Sequence, residues 1–181
     1  MPVNITGVKK SHGYKGIKMR RLTPQQYNWT PSRERLHELA DLVTEQGGTI
    51  PDDFDIDAIH WVTDRIGITD FEGCAEAVVR GYLVINVAGE LDSSAQVQAD
   101  INPHSNNVKP ILDKLAKLID KTMADDDTTK VVVHCAMGME RSPLTVVWYL
   151  HNYQDISLDE AYKIVQAARP VAVDRRYWIK E

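Results

Sequence analysis

The segment VVVHCAMGMERSP, residues 131–143, constrains this chain more than any other. Val131, Val132 and Val133 form a β-branched apolar run, so KVVVH (130–134) reads as a strand buried on both faces. A tight loop containing Gly138 follows, and Ser142-Pro143 opens a helix that continues as LTVVWYLHNY. A buried strand that turns at once into a helix demands an α/β arrangement. In such folds ligands bind at the loops that follow the C-terminal ends of strands. A helix N-terminus there presents unpaired N–H groups and a positive dipole end, which suits an anion.

The remaining pattern agrees. IHWVTDRIGIT (59–69) reads as one strand or two short ones, and a helix is expected from about Phe71 to Arg80, ending at Gly81. YLVINV (82–87) is a continuous apolar run typical of a central strand, and Ala95–Ala99 reads as another short one. Val108, Ile111, Leu112, Leu115, Leu118 and Ile119 recur at helical spacing. Ser157 and Glu160 form a capping box for a last main helix that ends before Arg169-Pro170. The expected fold is therefore α/β, with a mostly parallel central sheet flanked by helices. Upstream, residues 1–29 read as loop with a basic stretch, GYKGIKMRR. A helix starts at Thr30-Pro31, carries the stripe Leu36, Leu39, Ala40 and Val43, and stops at Gly47-Gly48. This divides the chain into an N-terminal extension with one helix (1–55) and a main domain (56–181).

Composition excludes several classes. The formal net charge of −5 argues against broad nucleic-acid binding, which usually needs a basic face. The two cysteines, Cys74 and Cys135, make no disulfide framework. No apolar run is long enough to span a bilayer, and MPVNITGVKK lacks the apolar core of a signal peptide. The expected location is a reducing cytoplasm. Nothing in the sequence reports the oligomeric state.

The chemistry centres on Cys135, at the base of the loop. N–H groups and Arg141 nearby favour its thiolate, the nucleophilic form. Five residues separate Cys135 from Arg141, enough for a loop to curl round one phosphate. The planar guanidinium fork grips two phosphate oxygens at once, which a lysine could not do.

This C-x5-R loop between strand and helix resembles the protein tyrosine phosphatase superfamily. His134 before the cysteine and Arg141-Ser142-Pro143 after the loop are similar to the dual-specificity branch, as are VINVAGE and ISLDEAYKIVQAARP. The resemblance covers roughly residues 56–178. It implies a phosphatase acting on phosphorylated protein or another phosphomonoester through a phosphocysteine intermediate on Cys135, with no metal or other cofactor. The loop residues Ala136, Met137, Gly138, Met139, Glu140 and Arg141 would bind the phosphate. His134 would orient the loop and lower the thiol pKa, and Ser142 would assist breakdown of the intermediate. The general acid would be an aspartate on a separate loop. Asp100, 35 residues before Cys135, fits best, and Asp92, 43 residues before it, competes.

Two positions depart from the family pattern. Met137 stands where alanine is usual, and Glu140 where a small residue is usual. An acidic side chain there should point outward, or brace Arg141 or a neighbouring loop. The loop lacks the lysines of phosphoinositide-type relatives. Cys74 could be a redox partner of Cys135, but its place beside Phe71 and Val78 favours a core role. Arg175, Arg176, Lys15, Lys18, Arg20 and Arg21 could recognise an acidic substrate, or be solvated surface. An RNA 5′-phosphatase and a non-catalytic phospho-binding module are the alternatives on the same fold. An arsenate reductase would need more reactive cysteines.

Overall fold

The computed structural model describes residues 33–105 and 107–180. The basic stretch GYKGIKMRR, the cap at Thr30-Pro31 and the side chain of Leu36 lie outside the described residues.

Five strands form one sheet in the order β1-β2-β5-β3-β4, with β1 His60–Trp61, β2 Ile66–Thr69, β3 Leu83–Asn86, β4 Val97–Gln98 and β5 Val131–His134. The β1 and β2 pair is antiparallel, so the segment 59–69 is two short strands; every other pairing is parallel. The valine run sits at the centre because it is the strand most able to lose solvent on both faces. Its register aligns Val131 with Ile66 and Leu83, and His134 with Thr69 and Asn86.

Alternation along β5 sorts the two faces. Val131 and Val133 join Ile66, Ile68 and Ile85 in the main core, against α3 (Val108–Asp125), α4 (Arg141–Tyr153) and α5 (Leu158–Ala168). Val132 and Val84 face the other way, onto Cys74 and Ala77 of α2 (Cys74–Val79) and onto Ala95. The second helix is thus shorter than expected, because residues 71–73 form a turn that packs on the 135–141 loop through Phe71 N–H to the Ala136 carbonyl, 3.0 Å. Helix α4 is buried at every position from Ser142 to Leu150, so it is a core helix rather than an amphipathic surface one. Ser157 caps α5 as expected, accepting from the Glu160 N–H at 3.2 Å. A short 3-10 turn at Arg176–Trp178, not expected from the sequence, follows it.

The N-terminal helix α1 (Arg33–Glu45) ends at Gly47, whose φ of +83° closes the helix. Its Leu39 and Val43 form a third apolar cluster with Phe54, Ile56, Val171, Val173 and two loop residues, Met137 and Met139. The unusual Met137 therefore has a structural use: its flexible side chain fills the space between the loop and α1. Met139 is fully buried in the same cluster. Met139→Ala should cost about 2–5 kcal/mol of stability in urea unfolding. A cost well under about 1 kcal/mol would show that this cluster is not packed as described.

Candidate active site

The loop from Cys135 to Arg141 leaves the C-terminal end of β5 and enters α4. Four successive carbonyls on it are occupied on its outer side. That of Ala136 accepts from Phe71 N–H, that of Met137 from Arg169 Nη2 at 2.8 Å, and that of Gly138 from Arg169 Nε at 2.7 Å. The Met139 carbonyl accepts from Val173 N–H at 2.7 Å. No described peptide bond is cis, and in a trans peptide the N–H points opposite to the carbonyl. The N–H groups of residues 137–140 are therefore turned inward. The Gly138 amide, with that of Ser142, hydrogen-bonds the sulfur of Cys135.

Arg169 takes two of these four carbonyls and is fully buried. It also donates to the Ile56 carbonyl at 2.9 Å and to His60 Nδ1 at 2.7 Å. Burial brings its pKa down to about 10, so it stays charged at neutral pH. Gly138 makes room for it. The residue has φ +64°, and a Cβ there would lie 2.6 Å from Arg169 Nη2 and 2.6 Å from the Thr69 carbonyl oxygen. Behind Arg169 lie two buried carboxyls, Asp57 and Asp70. Burial and a hydrogen bond that protonated Asp70 donates to the neighbouring Asp57 push the Asp70 pKa up, so the two share a proton.

Cys135 is buried at the floor of a pocket of about 200 Å³ that Ala136, Met137, Met139, Glu140, Arg141 and Arg35 line. The Ser142 hydroxyl lies 3.2 Å from the sulfur. Burial alone would push the thiol up. The Arg141 charge, the Ser142 hydroxyl and the amides of Ser142 and Gly138 outweigh it and hold the thiol below its ordinary value. His134 is buried behind the loop, with Nδ1 2.9 Å from the Cys135 carbonyl oxygen and Nε2 3.0 Å from Ser93 Oγ. Burial, with Arg141, lowers its pKa to about 4, so the ring is neutral near pH 7. Nδ1–H then donates to the carbonyl, and the Ser93 hydroxyl donates to Nε2. These two contacts tie the ring to the loop and to Ser93, and a neutral ring places no positive charge beside the sulfur.

The fork of Arg141 meets Glu90 through two bonds, Nη1 to Oε2 at 2.8 Å and Nη2 to Oε1 at 2.6 Å. Glu90 sits on the loop after β3 with Gly89 and Asp92, and these line a second cleft together with Asp100, which follows β4. Asp100 and Asp92 are both exposed there, and neither lines the Cys135 pocket. The Asp100 carbonyl is fixed by Asn107 Nδ2 at 3.1 Å.

Glu140 does not brace Arg141. Its side chain is buried on the far side, where Oε2 accepts from Arg175 Nε at 2.8 Å and Oε1 from Arg35 Nη2. Arg175 is thus not solvated surface, and Arg176 is paired with Asp174 and Asp159. Lys15, Lys18, Arg20 and Arg21 lie outside the described residues. Cys74 is buried on the opposite face of the sheet from the main core, its sulfur 3.7 Å from Ser94 Oγ and 3.8 Å from Ser93 Oγ.

Residues 74–180 match the family model described as "Dual specificity phosphatase, catalytic domain". The chain belongs to this family. Among curated relatives, human "Dual specificity protein phosphatase 16" is 40% identical over 63 residues, 35% of this chain and 9% of that protein. Human "Protein phosphatase Slingshot homolog 3" is 46% identical over 44 residues, 24% of this chain and 7% of that protein. The matched segments are thus small parts of much longer relatives. Human DUSP28 shares the fold, with a TM-score of 0.58 at 17% identity over 66% of this chain and 86% of that one. Tk-PTP in its active form gives 0.55 at 22% identity, over 67% and 90% respectively. Among the described residues, no helix of this dual specificity phosphatase family member is long and apolar enough to cross a membrane.

Sequence reasoning missed Arg169, Glu90, Ser93 and the Asp57–Asp70 pair. Arg169 stood in the segment that carried the resemblance, but nothing in its neighbours shows that its side chain turns inward.

A raised carboxyl pKa stabilises the fold most at low pH, and that contribution is lost as pH rises from the ordinary carboxylate range to the raised value. Asp70→Asn keeps a donor without a titration. The native protein should lose melting temperature over that pH window, and the variant should lose less. Parallel pH profiles for the two would refute the shared proton.

Proposed function

We propose that this chain is a cysteine-dependent phosphatase that hydrolyses phosphotyrosine, phosphoserine or phosphothreonine in proteins through a phosphocysteine intermediate. The observation that carries this reading is the Cys135 sulfur itself. It lies at the floor of a pocket one phosphate could fill, with its thiol held down by Arg141, Ser142 and two amides. Inward N–H groups and the Arg141 guanidinium suit the three equatorial oxygens of a transferring phosphoryl group.

The Cys135 thiolate attacks phosphorus, the S–P bond forms and the P–O bond to the substrate breaks. Asp100 must swing from its own cleft to the Cys135 pocket, where it gives its proton to the leaving oxygen. Water then attacks the phosphocysteine, Asp100 takes a proton from it, and the Ser142 hydroxyl stabilises the departing thiolate at the 3.2 Å contact. Inorganic phosphate and free Cys135 result. To accept phosphate, the Arg141 fork must exchange or share its bonds with Glu90. We place the phosphatase domain at residues 56–181, with residues 1–55 as an extension whose helix packs on it. A cytoplasmic setting suits a thiol that must stay reduced.

Cys135→Ser should abolish turnover while leaving the melting temperature close to native. Arg141→Lys should lose most activity, since the charge remains but the fork is gone. In the native protein kcat/KM should rise with pH through an apparent value below the ordinary free-thiol value of about 8.5. Full activity in either variant would end this reading.

Asp100→Asn should slow an alkyl phosphate about 10²–10⁴-fold. An aryl phosphate with an acidic phenol should suffer far less, because its leaving oxygen needs little protonation. Asp92→Asn serves as control. If the leaving-group-dependent loss follows Asp92 instead, the acid is Asp92.

A further inference from the structure

A larger groove of about 590 Å³ adjoins the Cys135 pocket and shares Arg35, Glu140 and Arg141 with it. Its walls come from the two ends of the described chain and from Pro103 and His104, which follow β4. Helix α1 supplies Arg35 and Glu38, and the turn after α5 supplies Arg175, Tyr177, Trp178 and Lys180. What joins these walls to the loop is Glu140. One carboxylate oxygen holds Arg35 of α1 and the other holds Arg175. Side chains of Glu140 and Arg175 are each about 10% exposed, so this is a shielded pair and not a rim contact. Arg175 in turn lies over Trp178, 5.2 Å from the ring centroid, and over Tyr177, 5.8 Å from it. The aromatic wall is therefore fixed to the same loop that holds Cys135.

Two features of the groove point to a ligand. Tyr177 is 63% exposed, although among the described residues only Val79 and Tyr153 are comparable exposed large apolar side chains. Neither of those lines the groove. Charge is the second feature. The groove gathers Arg35, Arg141, Arg175 and Lys180 against Glu38, Glu140 and the Glu90 bonded to Arg141, an excess of one positive charge in a chain whose net charge is −5. A local positive field within an acidic chain draws in an acidic partner.

We infer that this groove is a substrate subsite that binds the polypeptide flanking the phosphorylated residue and selects an acidic side chain there. Lys180 supplies the attraction, and Tyr177 supplies an apolar surface for the peptide. Continuity with the Cys135 pocket makes the occupant part of the substrate. A single-stranded nucleic acid would need cations tracking its backbone; here Glu38 and Glu140 interrupt them. The inference rests on the phosphatase reading above and gives residues 33–45 a part in specificity.

The test uses the full chain and four substrates: a small aryl phosphate, a phosphotyrosine peptide with acidic flanks, the same peptide with Asn and Gln in place of those acids, and a 5′-phosphorylated oligoribonucleotide. The native protein should turn over the acidic peptide with a lower KM than the neutral one. Lys180→Glu should raise KM for the acidic peptide about five- to tenfold and alter the neutral peptide and the aryl phosphate less than about twofold, as expected for a charge acting at a rim. A peptide with lysine flanks should regain turnover on Lys180→Glu. Tyr177→Ala should raise KM for both peptides without a matching loss on the aryl phosphate. Equal KM values for acidic and neutral peptides would overturn the proposal. So would an equal loss on all substrates, or a preference for the oligoribonucleotide. Should the native protein turn over nothing, the phosphatase reading fails on its own. Calorimetric binding of the two peptides carrying a non-hydrolysable phosphonate then still decides the groove: tighter binding of the acidic one supports it, and equal binding ends it.

Discussion

A loop of backbone amides can hold an anion only if something keeps its carbonyls away from that anion. Here that task falls to Arg169. One guanidinium, buried by the sheet and the end of α5, takes the carbonyls of Met137 and Gly138 and so turns the following amides inward. The main-chain donors at Phe71 and Val173 complete the set. Burying an arginine is costly unless its donors are all satisfied and counter-charge is near. The Ile56 carbonyl, His60 and the carboxyls of Asp57 and Asp70 meet that need. The loop is thus pre-organised by groups bonded to its outer side.

The other side of the loop is organised differently. Met137 and Met139 project into an apolar cluster with α1, and Glu140 ties Arg35 and Arg175 together. Both departures from the family pattern therefore serve one purpose. A chain with alanine and a small residue at those positions would offer α1 neither an apolar seat nor a charged anchor. The departures look unfavourable for phosphate binding in the sequence because their partners lie about a hundred residues earlier, or near the C-terminus. Arg35 and Glu140 are 105 residues apart.

That distance explains what was legible in the sequence. Local patterns gave the valine strand, the helix after Ser142-Pro143, the capped α5 and the strands at 59–69 and 82–87, because burial on a sheet or a helix leaves a period of two or an apolar run. The placement of Cys135 and Arg141 on one pocket, with Ser142 against the sulfur, followed from their fixed spacing on a strand, a loop and a helix. Side-chain destinations were not legible. Arg169 reads as a helix-end cation, Arg175 as surface, and Asp57 and Asp70 as loop carboxylates, since each gains its role from tertiary neighbours. The early start of the second helix failed for a related reason: the turn at 71–73 is held by the Ala136 carbonyl, which no local pattern reveals.

The bidentate contact between Arg141 and Glu90 has a consequence for affinity. The guanidinium proposed to meet a phosphate is already satisfied by a carboxylate of its own chain, so anion capture there is an exchange between two acceptors. The net gain is the difference between a doubly charged phosphate ester and a single carboxylate, not the whole strength of the fork. On the proposed mechanism, monovalent anions gain little from such an exchange, and the loop would discriminate by valence. Glu90 also offers the guanidinium a partner as inorganic phosphate departs, which favours release of the product over its retention.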